Sequence, residues 1–321
     1  MKYRLLGNTG IKVSEIGFGA WGIGGIVKDS MAYGLTDDKE SQRALLAAFD
    51  SGITFFDTAA LYGYGRSEQL IGKALCNVRD KIVISTKAGY INFDGIQDFS
   101  PTYLRNSLES SLCRLQTDYV DVFQLHDPLI SLLEEDDSIT MSLVKMRDEG
   151  KIRVIGISTR SPKDCLVAVE HLGFKSVQVN FNLVDQRAIE LQLFTACRNN
   201  GVGIIVRTPL CFGFLTGKYS AIDKYQVGDH RKNWKRPQIE LWAEAYKLFR
   251  AKLATKEAQT NAQIALRYVL SFAEVSTTVP GMLTDRHVAE NVLASNLGAF
   301  PDEVLDGFSE IYRQHSFFVD S

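Results

Sequence analysis

Short apolar runs recur along the chain, and most are followed by a stretch in which apolar residues return every three or four positions. The runs are EIGFGA (15–20), ITFFD (53–57), KIVISTK (81–87), YVDVFQLH (119–126), VIGIS (154–158), SVQVNFN (176–182), VGIIVRTP (202–209) and, more weakly, EVSTTVP (274–280). Near-continuous Val, Ile and Phe is what strands buried on both faces require, and it points to a parallel sheet flanked by helices. Between the runs, residues 41–50, 67–76, 102–115, 139–149, 163–172 and 189–199 read as amphipathic helices. Eight strand units over 15–295 favour a closed α/β fold, a single (β/α)8 TIM barrel, over an open doubly wound sheet. Such barrels reach this size as one unit, so residues 1–321 are taken as a single domain. The long stretch 211–237 and the tail from 298 onward are the candidate functional loops, after strand seven and at the C-terminus.

Helix punctuation agrees with this reading. Ser100–Pro101 and Ser161–Pro162 place a capping hydroxyl and a first-turn proline before two of the helices, and glycines 52, 150, 173 and 201 close preceding ones. Gly17, Gly19 and Gly22 satisfy G-x-G-x-x-G, yet the continuation IGGIVKDSMAYG is too glycine-rich for the helix that a dinucleotide-binding fingerprint demands. The alternative is a strand end left bare for close approach of a cofactor or substrate to the backbone.

With 45% hydrophobic residues, 23% charged residues and a formal charge of −2 over 321 residues, composition is that of a soluble protein and argues against a nucleic-acid partner. No apolar stretch approaches the ~20 residues needed to span a bilayer, and the N-terminus lacks the hydrophobic core of a secretion signal. A cytoplasmic protein with no membrane partner is expected. The five cysteines are scattered, without a C-x-x-C pair, so neither a disulfide framework nor a metal site is suggested.

The chemistry lies at the strand ends. Asp57 ends the second run, Lys87 the third and His126 the fourth, and C-terminal strand ends of a parallel barrel share one rim, where such enzymes react. Tyr62 follows in the glycine-punctuated loop after Asp57. A phenol acting as an acid near neutrality needs about 4 kcal/mol of phenolate stabilisation. An ammonium at ~4 Å in an effective dielectric of ~20 supplies about that much. Lys87 fills that role, Asp57 holds it charged and aimed, and His126 orients the substrate oxygen or relays a proton.

DTAALYG, STKAG and QLHDP together resemble the aldo-keto reductase superfamily, and the resemblance runs from YRLLGNTGIKVSEIGFGAWGIGG to VPGMLTDRHVAEN. It implies a barrel that binds NADP(H) without a Rossmann domain and reduces aldehydes or ketones, with Asp57, Tyr62, Lys87 and His126 as catalytic tetrad and hydride supplied by the cofactor. It further implies that Gly19, Ala20 and Trp21 pass the nicotinamide ribose. Ser158 and Gln178 hold the carboxamide, with Thr159 where asparagine is usual, and Arg207 stacks where an aromatic is usual. Thr208, Leu210, Gly213 and Lys218 cover the pyrophosphate. The unit from Gly281 through Thr284, Arg286 and His287 to Glu290 and Asn291 holds the adenosine end. Arg286 is the one evident fixed charge for a 2′-phosphate, so NAD(H) is not excluded.

The expected activity is NADP(H)-dependent reduction of a small carbonyl compound, an aldehyde or ketone such as one derived from a sugar. The alternatives are a cofactor-sensing regulatory subunit or a sugar or polyol dehydrogenase running in the oxidative direction. Trp21, Tyr90, Phe93, Phe212, Trp234 and the tail 313–321 are candidate pocket residues. Arg231, Lys232, Lys235 and Arg236 hint at an anionic substrate, or form a solvated face. Oligomeric state is not legible.

Overall fold

The computed structural model describes residues 1–220, 222–253 and 259–319, so the last two positions of the 313–321 tail lie outside the described residues. Two short strands, β1 (Tyr3–Leu5) and β2 (Lys12–Ser14), form an antiparallel hairpin that the apolar pattern did not announce. Eight strands follow: β3 (Phe18–Gly19), β4 (Phe55–Asp57), β5 (Val83–Ala88), β6 (Val120–His126), β7 (Ile152–Ser158), β8 (Ser176–Asn180), β9 (Gly203–Arg207) and β10 (Val275–Thr278). They lie in sequence order, every neighbour parallel. The sheet closes on itself: Gly17 N donates to Thr278 O (2.8 Å), Thr278 N to Glu15 O (2.9 Å) and Gly19 N to Pro280 O (3.0 Å). The fold is a (β/α)8 barrel. No helix among the described residues is long and apolar enough to cross a membrane.

Closure explains the glycine fingerprint better than ligand approach does. A Cβ on Gly19 would stand 2.5 Å from Val279 O and 2.8 Å from Pro280 O, and one on Gly17 would stand 2.9 Å from Phe55 Cδ1. At Gly19 the side chain is missing because β3 is squeezed against the backbone that completes the barrel, and at Gly17 because the Phe55 ring fills the space. Gly22 follows in a single helical turn, Trp21–Gly24, a turn more of helix than the glycine content suggested.

Helix boundaries follow their caps. Ser100 accepts from Tyr103 N and Ser161 from Asp164 N, each with proline at the first turn, and glycines 52, 150, 173 and 201 all have left-handed φ. The expected helix at 189–199 is instead two, Arg187–Glu190 and Leu193–Asn200, because Gln192 adopts φ 57° between them. The long segment 211–237 holds two 3-10 turns, Cys211–Thr216 and His230–Asn233, before the helix Arg236–Arg250 begins.

Strand alternation divides the apolar residues into two clusters. Outward-facing side chains such as Phe56, Ile84, Phe123, Ile157 and Val206 pack with the helices. Phe55, Val83, Val122, Val154 and Ile205 face inward and meet Leu6, Ile11 and Val13 of the hairpin segment, which plugs the N-terminal end. Arg4 rivets the plug: it donates to Phe272 O (2.7 Å), Val275 O (2.7 Å) and Leu270 O (2.6 Å), and pairs with Glu15 at 2.9 Å. Replacing Arg4 with Ala strands these acceptors and is expected to cost about 2–3 kcal/mol, read as a lowered urea midpoint at unchanged m-value. A change within ~0.5 kcal/mol, the range of ordinary surface substitutions, would show that the plug does not depend on it.

Candidate active site

The same parity that buries Phe55, Val83, Val122, Val154 and Ile205 sends Asp57, Lys87, His126, Ser158 and Arg207 inward, two or four residues further up each strand. Lys87 is 1% exposed and Asp57 3%. The Lys87 ammonium donates to Asp57 Oδ2 at 2.7 Å, to Thr58 O at 2.8 Å and to the Tyr62 hydroxyl at 3.3 Å. Asp57 Oδ1 in turn accepts from Gln178 Nε2 at 2.8 Å and, more distantly, from Gln124 Nε2 at 3.4 Å. These contacts compensate the desolvation of a buried ion pair, which is otherwise costly. Ser158 Oγ donates to Gln178 Oε1 at 3.1 Å and receives Arg207 Nη1 at 3.5 Å. One polar chain thus crosses the barrel mouth from Arg207 to Tyr62.

His126 closes the other side. Its ring stands 6.1 Å from that of Tyr62 and 5.0 Å, edge to face, from that of Tyr90. Burial first, then the positive charges of Lys87, Arg207 and Arg160, hold its pKa well below the ordinary histidine value. At neutral pH it is an uncharged imidazole, able to give one N–H to an oxygen.

Asp57, Tyr62, Tyr90, His126, Gln178 and Arg207 line a cavity of about 820 Å³, while Lys87, Gln124 and the expected carboxamide contact Ser158 are buried and are not among its lining residues. Gly19, Ala20, Trp21, Asp57, Tyr62, Tyr90, Phe93, His126, Gln178, Arg207, Thr208, Leu210, Gly213, Lys218, Trp234, Gly281, His287, Glu290 and Asn291 all line it, as does Phe318 of the tail. A second cavity of about 770 Å³ adjoins it, shares Thr216, Lys218 and Glu290, and adds Arg250, Asn261 and Arg286. Arg250 bonds Gln259 O and Asn261 Oδ1, and neither it nor Arg286 has a carboxylate partner among the described residues. Lys218 lies 3.5 Å from Glu290. A strained loop lines the main cavity, with Thr208, Cys211, Phe212 and Gly213 all at positive φ. Thr208, β-branched at φ 54°, is held there by Asn182 Nδ2, which donates to its carbonyl at 2.9 Å, and by its own hydroxyl on Asn180 Oδ1 at 3.2 Å.

Two adjoining cavities, one with arginines free of carboxylate partners among the described residues and the other with a phenol–imidazole pair, suit a nicotinamide dinucleotide in the chemistry of their donors. Several expected contacts are placed elsewhere. Thr159 is fully buried and spends its hydroxyl on the backbone of Ser161, donating to its carbonyl at 2.7 Å and accepting its N–H at 3.1 Å, so it braces the residue that caps the following helix and is not among the residues lining the cavity. Thr284 lines neither cavity; it caps the helix Asp285–Leu297 by accepting from His287 N. His287 accepts Leu283 N on Nδ1 and is held below its ordinary pKa, chiefly by burial, so it is no phosphate-binding cation at neutral pH. The basic cluster dissolves: Arg231 is buried against Asp229, Lys232 and Lys235 are exposed, and Arg236 pairs with Glu240 on a surface helix. Gln124 was missed, though its place two residues before His126 gave it the same inward face. Arg250 and Asn261 carried no sequence signal, because only the packing of their helices brings them to the cleft.

Residues 15–313 match the family model described as the aldo/keto reductase family. The chain is 33% identical to the aldo-keto reductase YhdN of Bacillus subtilis (strain 168), over 84% of this chain and 81% of the relative. It is also 33% identical to L-glyceraldehyde 3-phosphate reductase of Escherichia coli (strain K12), over 92% and 88%. Among solved structures, the glycerol dehydrogenase AKR11B4 of Gluconobacter oxydans superposes with TM-score 0.80 at 26% identity, covering 99% of this chain and 97% of that one.

Three histidines in this cleft share one pH consequence. His230, among aromatic rings, is lowered to about 4, chiefly by burial, and His126 and His287 are lowered as well. As pH falls through ~6.5 the unfolded chain takes up protons that the folded protein refuses, so stability is full above that pH and declines below it. His230 alone contributes a loss of about 3 kcal/mol between pH ~6.5 and its folded value of about 4. Urea unfolding from pH 7 to pH 4.5 should show this fall, shallower in His230→Phe; equal slopes in both proteins would contradict the assignment.

Proposed function

The chain belongs to the aldo/keto reductase family, and from that premise we propose that it is an NADP(H)-dependent oxidoreductase that reduces the carbonyl group of a small molecule, with Tyr62 as the general acid. The observation that carries this reading is the Tyr62 hydroxyl 3.3 Å from a buried ammonium, at the edge of a cavity that it shares with a neutral His126. A bound reduced nicotinamide supplies the hydride. Tyr62 gives its proton to the substrate oxygen, and Lys87 stabilises the negative charge left on the phenol. His126 offers an N–H to the same oxygen, and its neutrality matters because a cationic ring would repel the ammonium beside it. Asp57 and Thr58 O keep the ammonium aimed. Trp21, Tyr90, Phe93 and Trp234 are assigned to the substrate.

Gln178 and Ser158 are the residues we assign to the carboxamide, Gly19, Ala20 and Trp21 to the ribose side, and Thr208, Leu210, Gly213 and Lys218 to the pyrophosphate. Arg250 and Arg286 around the second cavity support a 2′-phosphate, and hence NADP(H) over NAD(H). One observation favours the oxidative direction as a second reading. Arg207 holds a positive charge with no carboxylate partner among the described residues, beside the assigned carboxamide site, where it disfavours the cationic oxidised ring relative to the neutral reduced one.

Tyr62→Phe is expected to lower turnover on a carbonyl panel about 10³-fold while leaving NADPH affinity within a few-fold; a variant that keeps its rate defeats the assignment. Lys87→Met is a poorer test, because stranding Asp57 is expected to destabilise the fold by about 3–5 kcal/mol.

For the cofactor, Arg250→Ala and Arg286→Ala should each weaken NADPH binding about tenfold in fluorescence titration and leave NADH unchanged. Equal losses for both cofactors would place the phosphate elsewhere.

A further inference from the structure

On the substrate side of the main cavity the cations are already paired. Arg231 donates Nε and Nη2 to the two oxygens of Asp229 at 3.0 and 2.6 Å, both side chains being 5% exposed. Its guanidinium lies 4.0 Å from the Tyr219 ring centroid, with Tyr225 at 5.0 Å and Tyr33 at 5.1 Å. Arg187 gives Nε and Nη2 to the two oxygens of Asp185, each at 2.7 Å. Arg160 holds Asp127 at 2.9 Å, and the same carboxylate also accepts the Tyr90 hydroxyl at 3.0 Å.

A guanidinium closed on a carboxylate has its charge balanced and two of its five N–H groups taken, so it attracts a second anion less than a free one does. An incoming phosphate must either break the Arg187 or Arg231 fork or stand partly desolvated beside carboxylates, and Asp185 itself lines the cavity; Arg160 meets Asp127 through Nε alone. His230 adds no charge. It sits between Trp21 (4.5 Å), Trp234 (4.7 Å), Tyr33 (5.1 Å) and Phe212 (5.3 Å), and burial lowers its pKa to about 4. The remaining polar lining includes the uncharged amides Asn92, Asn180 and Asn233, interleaved with aromatic rings that suit the C–H faces of a sugar.

We infer that the substrate is an uncharged, hydroxyl-bearing carbonyl compound of sugar type, and that Asp185 and Asp229 exclude phosphorylated or carboxylated analogues by occupying the arginines that would bind them. The inference rests on the reading of this cavity as the carbonyl site. Arg207 is the exception to the pairing, but it reaches Ser158 at 3.5 Å, on the side assigned to the cofactor. The expected selectivity is opposite to the one named for the Escherichia coli relative, which acts on a phosphorylated aldehyde.

The test compares glyceraldehyde with glyceraldehyde 3-phosphate in two ways. Reduction is followed with NADPH, and binding is followed by calorimetry on the protein saturated with oxidised cofactor, which cannot reduce either aldehyde. Glyceraldehyde should lead by about 100-fold in kcat/KM and bind more tightly. D185N, which frees the Arg187 fork, should narrow the gap about tenfold by improving the phosphate. Equal or better binding of the phosphate, binding of neither compound, or a D185N gap equal to wild type overturns the inference. Selective binding of glyceraldehyde without turnover of either compound upholds it and defeats the reductase reading instead.

Discussion

The site is organised by one buried charge. Lys87 carries three protons, and the fold assigns each of them: Asp57 Oδ2 at 2.7 Å, Thr58 O at 2.8 Å and Tyr62 at 3.3 Å. With 1% of its surface exposed, the ammonium has no water to fall back on. Two of its acceptors belong to β4 and the residue directly after it, so they are fixed by the barrel. The third is the phenol. Tyr62 is therefore held by the need of a buried cation to complete its hydrogen bonds, and the geometry that satisfies the cation also sets a positive charge beside the phenol proposed as the acid. Structural demand and the proposed chemical use coincide at a single nitrogen.

The barrel meets this demand through parity and closure. Each inward strand position alternates with one facing the helices, and apolar residues fill the inward layer nearest the plug while polar ones fill the layers above. The boundary comes early on β4, where Phe55 is followed two residues later by Asp57, and late on β9, where Ile205 precedes Arg207. Closure beside β3 brings backbone against backbone at Gly19, while Gly17 leaves room for the inward Phe55 ring. The same short strand then delivers Trp21 to the cavity wall.

What could be read from the sequence follows from these constraints. The eight strands were legible because burial on both faces leaves a continuous apolar run, and Asp57, Lys87 and His126 were legible because a charge at the end of such a run has few reasons to be there. The plug hairpin was not, since strands of three residues carry no usable period. The break at Gln192 was not, because nothing local marks that residue for φ 57°. The glycine fingerprint was ambiguous because a requirement for close backbone approach does not say what approaches: Gly19 meets the closing backbone and also lines the cavity. Arg231 misled most. In the sequence it heads a basic run, yet the chain turns it back onto Asp229, two residues earlier, among tyrosines from two different segments. Linear charge patterns do not record such folding-back.

The two ends of the cleft differ less in the number of their arginines than in what those arginines are joined to. Arg250 and Arg286 have no carboxylate among the described residues and hold their charge available to a ligand; Arg187 and Arg231 are closed on aspartates and do not. Between the two ends runs the loop in which Thr208, Cys211 and Phe212 adopt left-handed conformations, a local cost of about 1–3 kcal/mol each that packing and the Asn180 and Asn182 contacts must offset. A relaxed chain would bridge β9 and the following turn at lower cost. The strained residues line the main cavity, so the contacts that offset their cost also fix the backbone of its wall.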